Sequence, residues 1–327
     1  MQENHFKQED ARKRILIIRP GALGDTLMLA PSIATMGGSA DLVLVGRSPG
    51  IGVFKTLPGV RFCLDYEGQG WHTLFNNDPE DLPLLSVKEI ELAVAFLSDP
   101  EGRARESLSI LLPRTKIHLY PPFPPKEESV HTALYLAQCL QHAGAPLHPQ
   151  AALEEASRRA LLKREEKGGR TETVLFHPGS GSLSKNHPPR YWLDLTQKLA
   201  SLFGPDHEIQ CLLGEAESAL MPFFRQNGFE GRLIFSPPLP DLISLLERAF
   251  LYIGHDSGVT HLAALLGTPT IALFKETSPL QWKPLGPRVR VIRGREHGPA
   301  LTRRILQAAS DLLGCPPDPA LLTLTCH

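Results

Sequence analysis

Four short segments rich in glycine, hydroxyls and charge interrupt the chain, and each follows an apolar run. They are Gly21-Ala22-Leu23-Gly24-Asp25, His177-Pro178-Gly179-Ser180-Gly181-Ser182-Leu183-Ser184-Lys185, Gly214-Glu215-Ala216-Glu217 and Gly254-His255-Asp256-Ser257-Gly258. A carboxylate placed as Asp25 is, at a helix start, can accept a proton as general base or simply cap the helix. Small residues and hydroxyls with a lysine in reach, as around Lys185, suit a phosphate-bearing ligand, although an ordinary Gly/Ser loop reads the same way. Glu215 or Glu217 can hold ribose hydroxyls or favour a helix N-terminus. In the fourth segment, the N–H groups of Ser257 and Gly258 open a helix and attract an anion, while Asp256 or Ser257 is also a natural cap.

These segments sit where strands give way to helices. Arg14 to Arg19 is a continuous apolar run of the kind buried on both faces of a parallel sheet. A helix follows, with Leu23, Leu27, Ala30 and Ala34 on one face. Further strands are expected at 41–46, 60–65, 90–97 and 115–119, with helices at 49–57, 101–111 and 129–143. The run Tyr120 to Pro125 cannot be helix or central strand. Residues 66–88 read as loop. The charged stretch 145–169 reads as the connection between two domains, 1–168 and 169–327. Strand and helix then alternate again: strands at 173–176, 208–213, 232–235, 251–253, 270–274 and 288–292, and helices at 190–203, 216–227, 240–250, 259–266 and 300–313. Alternation in both halves predicts an α/β fold of two facing Rossmann-like domains, with ligands in the cleft at the carboxyl ends of the strands.

Composition narrows the options. With 34 basic and 35 acidic residues the net charge is −1, which gives no reason to expect nucleic acid. Five scattered cysteines form no CxxC or Cys/His cluster, so neither a disulfide framework nor a zinc site is expected. The first fourteen residues lack the apolar core of a secretory signal, and no apolar run approaches the roughly eighteen residues of a membrane span. A cytoplasmic protein is expected. A dinucleotide site is disfavoured, because Arg19 stands where the first glycine of GxGxxG would be.

Taken together, RPGALGD at 19–25, HPGSGSLSKN at 177–186, GHDSGVTHLAALLGTPTIALF at 254–274 and WKPLG at 282–286 resemble glycosyltransferase family 9, the ADP-heptose:lipopolysaccharide heptosyltransferases. The resemblance extends over nearly the whole chain, and the DSG-x-x-HLAAxLGTPT block is its most specific part. It implies a GT-B architecture, with acceptor in the first domain and nucleotide-sugar in the second. It also implies that Asp25 deprotonates an acceptor hydroxyl as it attacks the anomeric carbon, with inversion. Lys185 and the amides of Ser257 and Gly258 match the phosphate contacts, Asp256 would orient sugar or ribose hydroxyls, and Glu217 is similar to the acid that binds the nucleoside. Gly24, Ser180, Gly181 and His261 complete the implied donor site, His261 being equally readable as core.

No cofactor is implied, since an ADP-sugar serves as substrate, and no metal, since the chain has no Asp-x-Asp triplet. The acceptor would be a lipopolysaccharide core or other glycan, reached through peripheral contact with the inner membrane. Arg47, Lys55, Arg61 and Arg103 are candidate partners for its anionic groups. The cluster Arg158, Arg159, Lys163 and Arg164 could graze an anionic membrane, though Glu165 and Glu166 point to a solvated linker. His255 and His187 stand where the family often has Asn and Trp. A relative with another donor or glycan, a nucleotide-sugar epimerase and a non-catalytic sugar-nucleotide binder are the competing readings. The last of these predicts loss of Asp25 or Lys185, and both are present.

Overall fold

The computed structural model describes residues 12–76, 89–125, 127–162, 169 and 171–314. Among these, eleven strands form two sheets, and every hydrogen-bonded pair of strands is parallel. The first sheet contains β1 (Lys13–Ile18), β2 (Ala40–Gly46), β3 (Val60–Asp65), β4 (Leu92–Phe96) and β5 (Lys116–Tyr120), in the order β3-β2-β1-β4-β5. The second contains β6 (Thr173–His177), β7 (Glu208–Leu213), β8 (Arg232–Phe235), β9 (Leu251–His255), β10 (Thr270–Phe274) and β11 (Val289–Arg293), in the order β11-β10-β9-β6-β7-β8. In each sheet the chain winds outward from the middle in both directions. That leaves a crevice between β1 and β4 and another between β6 and β9, the positions where such sheets bind ligands.

The central strands are apolar without alternation because helices cover both faces. Ile15 to Ile18 and Leu251 to Ile253 are all buried. One apolar cluster runs through the space between the sheets and joins side chains of both halves. It is built on the helices α1 (Leu23–Leu27), α2 (Ala30–Met36), α4 (Thr132–Ala143), α5 (Pro149–Arg158), α8 (Leu239–Arg248) and α9 (Gly258–Leu265). A second cluster lies on the far face of the second sheet, under α6 (Pro189–Phe203), α7 (Leu220–Gln226) and α11 (Pro299–Leu313). A third, around Trp71 and α3 (Arg103–Leu111), covers the outer face of the first sheet.

Some local expectations change, among them the helix at 216–227, which is a 3-10 turn at Glu215–Glu217 followed by α7. The helix expected to carry Leu23, Leu27, Ala30 and Ala34 is two helices, because Pro31, in the first turn of α2, has no N–H to continue the hydrogen bonding of α1. Residues Gly50–Thr56 form a tighter 3-10 turn. Strand β9 runs two residues further than expected, to His255, so the turn begins at Asp256. Within 66–88, Trp71–Phe75 is a 3-10 turn, and 77–88 lie outside the described residues. The expected boundary at 168/169 adjoins residues outside the described ones, as do Lys163, Arg164, Glu165 and Glu166. Arg158 and Arg159 pair with Glu154 and Glu155 along α5.

Candidate functional site

The carboxyl ends of β6 and β9 bring the second and fourth segments together. Ser257 is the N-cap of α9: its Oγ accepts the Thr260 N–H at 3.4 Å, and the Thr260 hydroxyl donates back to the His255 carbonyl. Asp256 is therefore free of capping duty, and its carboxylate is buried with three partners. Lys185 Nζ donates to Oδ2 at 3.0 Å and the Thr277 hydroxyl donates to the same oxygen at 2.6 Å, while His261 Nε2 lies 3.5 Å from Oδ1. Burial alone would raise the Asp256 pKa. Bonds from His261 and Thr277 and the Lys185 charge outweigh it and hold the group at about 2.

Lys185 is delivered by a loop pinned along its length. Gly181 turns with φ of 70°, a region that favours glycine. Ser180 Oγ donates to Asn186 Oδ1, and Lys275 Nζ donates to the Asn186 carbonyl at 3.1 Å. The His187 N–H donates at 2.9 Å to Nε2 of the buried His255. Burial, reinforced by the neighbouring His187 and His177, pushes the His255 pKa well below 6.5, so the ring remains a neutral acceptor. His255 and His187 thus hold the Lys185 loop from behind.

The two acids of the third segment both line the same cavity but differ in burial. Glu215 is exposed, whereas Glu217 is buried, with Oε2 accepting the Gly214 N–H at 3.0 Å and lying 3.5 Å from His177 Nε2. The hydrogen bond to His177 is the main reason its pKa falls below the usual carboxylate range. Gly179 makes this packing feasible, since a Cβ there would lie 2.0 Å from Glu217 Oε1. Gly24, Ser180, Gly181, Glu217, Ser257 and Gly258 line one cavity of about 330 Å³, walled by Leu213, Pro237, Leu242 and Val259.

The first half meets this cavity through α1. A Cβ on Gly24 would lie 3.4 Å from the Gly258 Cα, and one on Gly258 would lie 2.9 Å from the Gly24 nitrogen. Asp25 stands one residue further, half-buried, with Oδ2 accepting the Ala22 N–H at 3.1 Å. It occupies the third position of α1 and folds back on the N–H of Ala22, which is the N-cap, so Asp25 is not the N-cap considered from sequence but contacts it from within the first turn.

Three of the candidate acceptor-side cations are paired with separate acids. Arg61 pairs with Asp41 and Arg103 with Glu101, while Arg47 pairs with Glu67 and lines a cavity with Gly21, Ala22 and Leu23. Sequence reasoning missed His177 and Thr277 as site residues. His177 ends its strand at the crevice, a readable signal, but nothing in the chain around Thr277 marks it as a partner of Asp256.

The sequence model of glycosyltransferase family 9 (heptosyltransferase) matches residues 101–309. The chain belongs to that family. The match takes in Lys185, Glu217, Asp256 and His261 and begins beyond Asp25. A lipooligosaccharide heptosyltransferase 2 of Haemophilus influenzae is 28% identical over 158 residues, 45% of each chain. The chain spans less than half the length of the curated relatives it matches.

Two solved structures superpose over nearly the whole chain. A family 9 glycosyltransferase from Veillonella parvula does so with a TM-score of 0.67 at 14% identity, covering 92% of this chain and 97% of that one. The E. coli heptosyltransferase WaaC, solved with ADP, does so with a TM-score of 0.67 at 15% identity, covering 91% and 99%. The architecture is GT-B, as the family resemblance implied. No helix among the described residues is long and apolar enough to cross a membrane.

Proposed function

We propose that this family 9 chain is an inverting transferase that moves heptose from ADP-heptose to a lipopolysaccharide inner-core acceptor, Kdo or heptose. The observation that carries the reading is the Lys185–Asp256 pair next in sequence to Ser257, which lines one cavity with Glu217, with Asp25 one residue from the Gly24–Gly258 contact. In this reading the diphosphate lies at the start of α9, where the Ser257 and Gly258 N–H groups precede the first intrahelical bonds. Glu217, an ionised carboxylate beside His177, accepts from ribose hydroxyls.

Asp25 takes the proton of the acceptor hydroxyl as that oxygen attacks the anomeric carbon from the face opposite ADP. The anomeric C–O bond breaks, and its electron pair leaves with the diphosphate. Lys185 and the α9 N–H groups stabilise that growing charge, the role of a preorganised electrostatic site, with no metal required. Asp256 keeps the Lys185 ammonium in place. The enzyme would work on the cytoplasmic side, with a glycolipid acceptor presented at the inner-membrane surface.

Calorimetry of ADP, UDP, GDP and ADP-heptose binding in the presence of EDTA tests the donor half. Preference for ADP and its heptose is the expected result, followed by transfer to a Kdo-bearing acceptor. Preference for UDP or GDP would discard the donor, and binding of none of them would favour a non-catalytic member of the family.

A further inference from the structure

Arg19 is only 2% exposed, lying beneath the turn that carries Asp25. Its Nε donates to the Asp25 carbonyl at 2.9 Å and its Nη1 to the Pro122 carbonyl at 2.6 Å. The guanidinium centre lies 5.7 Å from the Phe96 ring and 5.5 Å from the Phe123 ring. Its Nη2 is buried and has no partner among the described residues. Burial lowers the Arg19 pKa to about 10 despite the nearby Asp25 carboxylate and Tyr135. A methionine of similar length would fill the slot between the rings without the cost of a buried, partly unsatisfied cation. What methionine lacks is a rigid fork that grips two main-chain carbonyls from different segments.

The second of those segments reaches the donor half. Phe123 packs edge-on against Trp282 with ring centroids 5.8 Å apart. Gln281 Nε2 donates to the Glu128 carbonyl at 3.1 Å, and His131 Nε2 lies 3.0 Å from the Lys283 carbonyl. Helix α10 (Pro279–Trp282) follows Thr277, whose hydroxyl holds Asp256. A continuous set of contacts therefore runs from the Asp25 main chain through Arg19, Phe123 and Trp282 to the segment whose Thr277 holds Asp256.

We infer that Arg19 is a positioning residue of the transfer reaction, tying the Asp25 turn to the 121–123 strap and so setting the base against the donor half. The inference rests on the transferase reading of the cleft. It touches neither substrate nor leaving group, so its signature is a loss of kcat without a loss of donor affinity.

The test compares Arg19→Met, Arg19→Lys, Phe123→Ala and Trp282→Ala by steady-state transfer kinetics, ADP calorimetry and amide hydrogen exchange over residues 21–27. Arg19→Met is expected to lower kcat about 10²-fold, the scale of a small misplacement of a reacting group, with ADP affinity within twofold of wild type. Arg19→Lys, which can reach one carbonyl at a time, should recover part of that loss. If Arg19→Met fails to fold, the Phe123 and Trp282 variants, at less buried positions, should still lower kcat selectively and speed exchange over 21–27. Unchanged kcat and exchange across the set would overturn the inference, as would equal losses of kcat and ADP affinity. A wild type without any transfer would defeat the transferase reading instead, and faster exchange over 21–27 in Arg19→Met would then still show that Arg19 holds the turn.

Discussion

The Lys185 ammonium lies 3.0 Å from Asp256 Oδ2, an ion pair between loops 71 residues apart that places a cation beside the first turn of α9. The pair does two things at once. It leaves the lysine's other N–H donors available to a phosphate, and it compensates the buried carboxylate that would otherwise face Ser257 and Gly258 with the wrong charge for an anion.

Removing the carboxylate charge should therefore loosen the lysine. Asp256→Asn is expected to weaken ADP binding about tenfold and to destabilise the fold by about 2 kcal/mol, less than a fully buried pair because Lys185 is partly exposed. The pH dependence carries the same sign. With the folded pKa near 2 against an ordinary value of 3.8, the contribution is fully present above the unfolded pKa. It fades as pH falls from about 4 towards 2. Urea melts of wild type and Asp256→Asn at pH 7 and pH 3 check this, and a stability gap that stayed constant between the two would count against the pair.

Asp25→Asn isolates proton acceptance from structure. Asparagine keeps an oxygen that can accept the Ala22 N–H, so the first turn of α1 should remain intact. The expected outcome is a fall in kcat of about 10² or more with ADP affinity unchanged. Transfer kinetics beside calorimetry measure both, and an undiminished kcat would remove Asp25 from the mechanism.

Glu217 is expected to act on binding. Glu217→Ala should weaken ADP by about tenfold to a hundredfold, the value of hydrogen bonds to a charged acceptor, and leave kcat at saturating donor nearly as it was. Gly179→Ala should do the same from a distance, because its Cβ would fall within 2.3 Å of the Glu217 Cγ and force the carboxylate out of place. Since the hydrogen bond to His177 depresses the Glu217 pKa, its contribution is present at neutral pH and is lost as pH falls through the folded value. A Gly179→Ala enzyme with wild-type ADP affinity would contradict this role.

Much of the architecture was legible because the strands are short unbroken apolar runs and the helices begin at glycine- or proline-marked turns. What sequence could not supply was direction. Nothing in the DSG turn says whether Asp256 or Ser257 is the cap. That choice is made by β9 continuing to His255, which points Asp256 at Lys185 and leaves Ser257 extended at φ −151°. Likewise Glu215 and Glu217 look equivalent until the 3-10 turn Glu215–Glu217 sends one outward and the other against Gly179. Thr277 and Arg19 escaped notice for a related reason: the partner of Thr277 is 21 positions away, and the second carbonyl that Arg19 grips is 103 away, beyond any local pattern.

The contact between Gly24 and Gly258 offers the sharpest separation of geometry from chemistry, since neither residue has a side chain to contribute. A Cβ at Gly258 would lie 2.9 Å from both the Gly24 nitrogen and the Leu23 Cβ, so Gly258→Ala must push α1 away from α9. A Cβ at Gly24 would meet its nearest neighbour at 3.4 Å, close to ordinary contact, so Gly24→Ala is the matched control. Moving α1 moves Asp25, while the Ser257 cap and the Lys185–Asp256 pair remain within the second half. Gly258→Ala should accordingly lower kcat by about 10² through misplacement of the base, with Gly24→Ala losing far less. Transfer rates of the two variants at saturating donor decide the matter, and equal rates would mean that the approach of these helices does not set the reaction geometry.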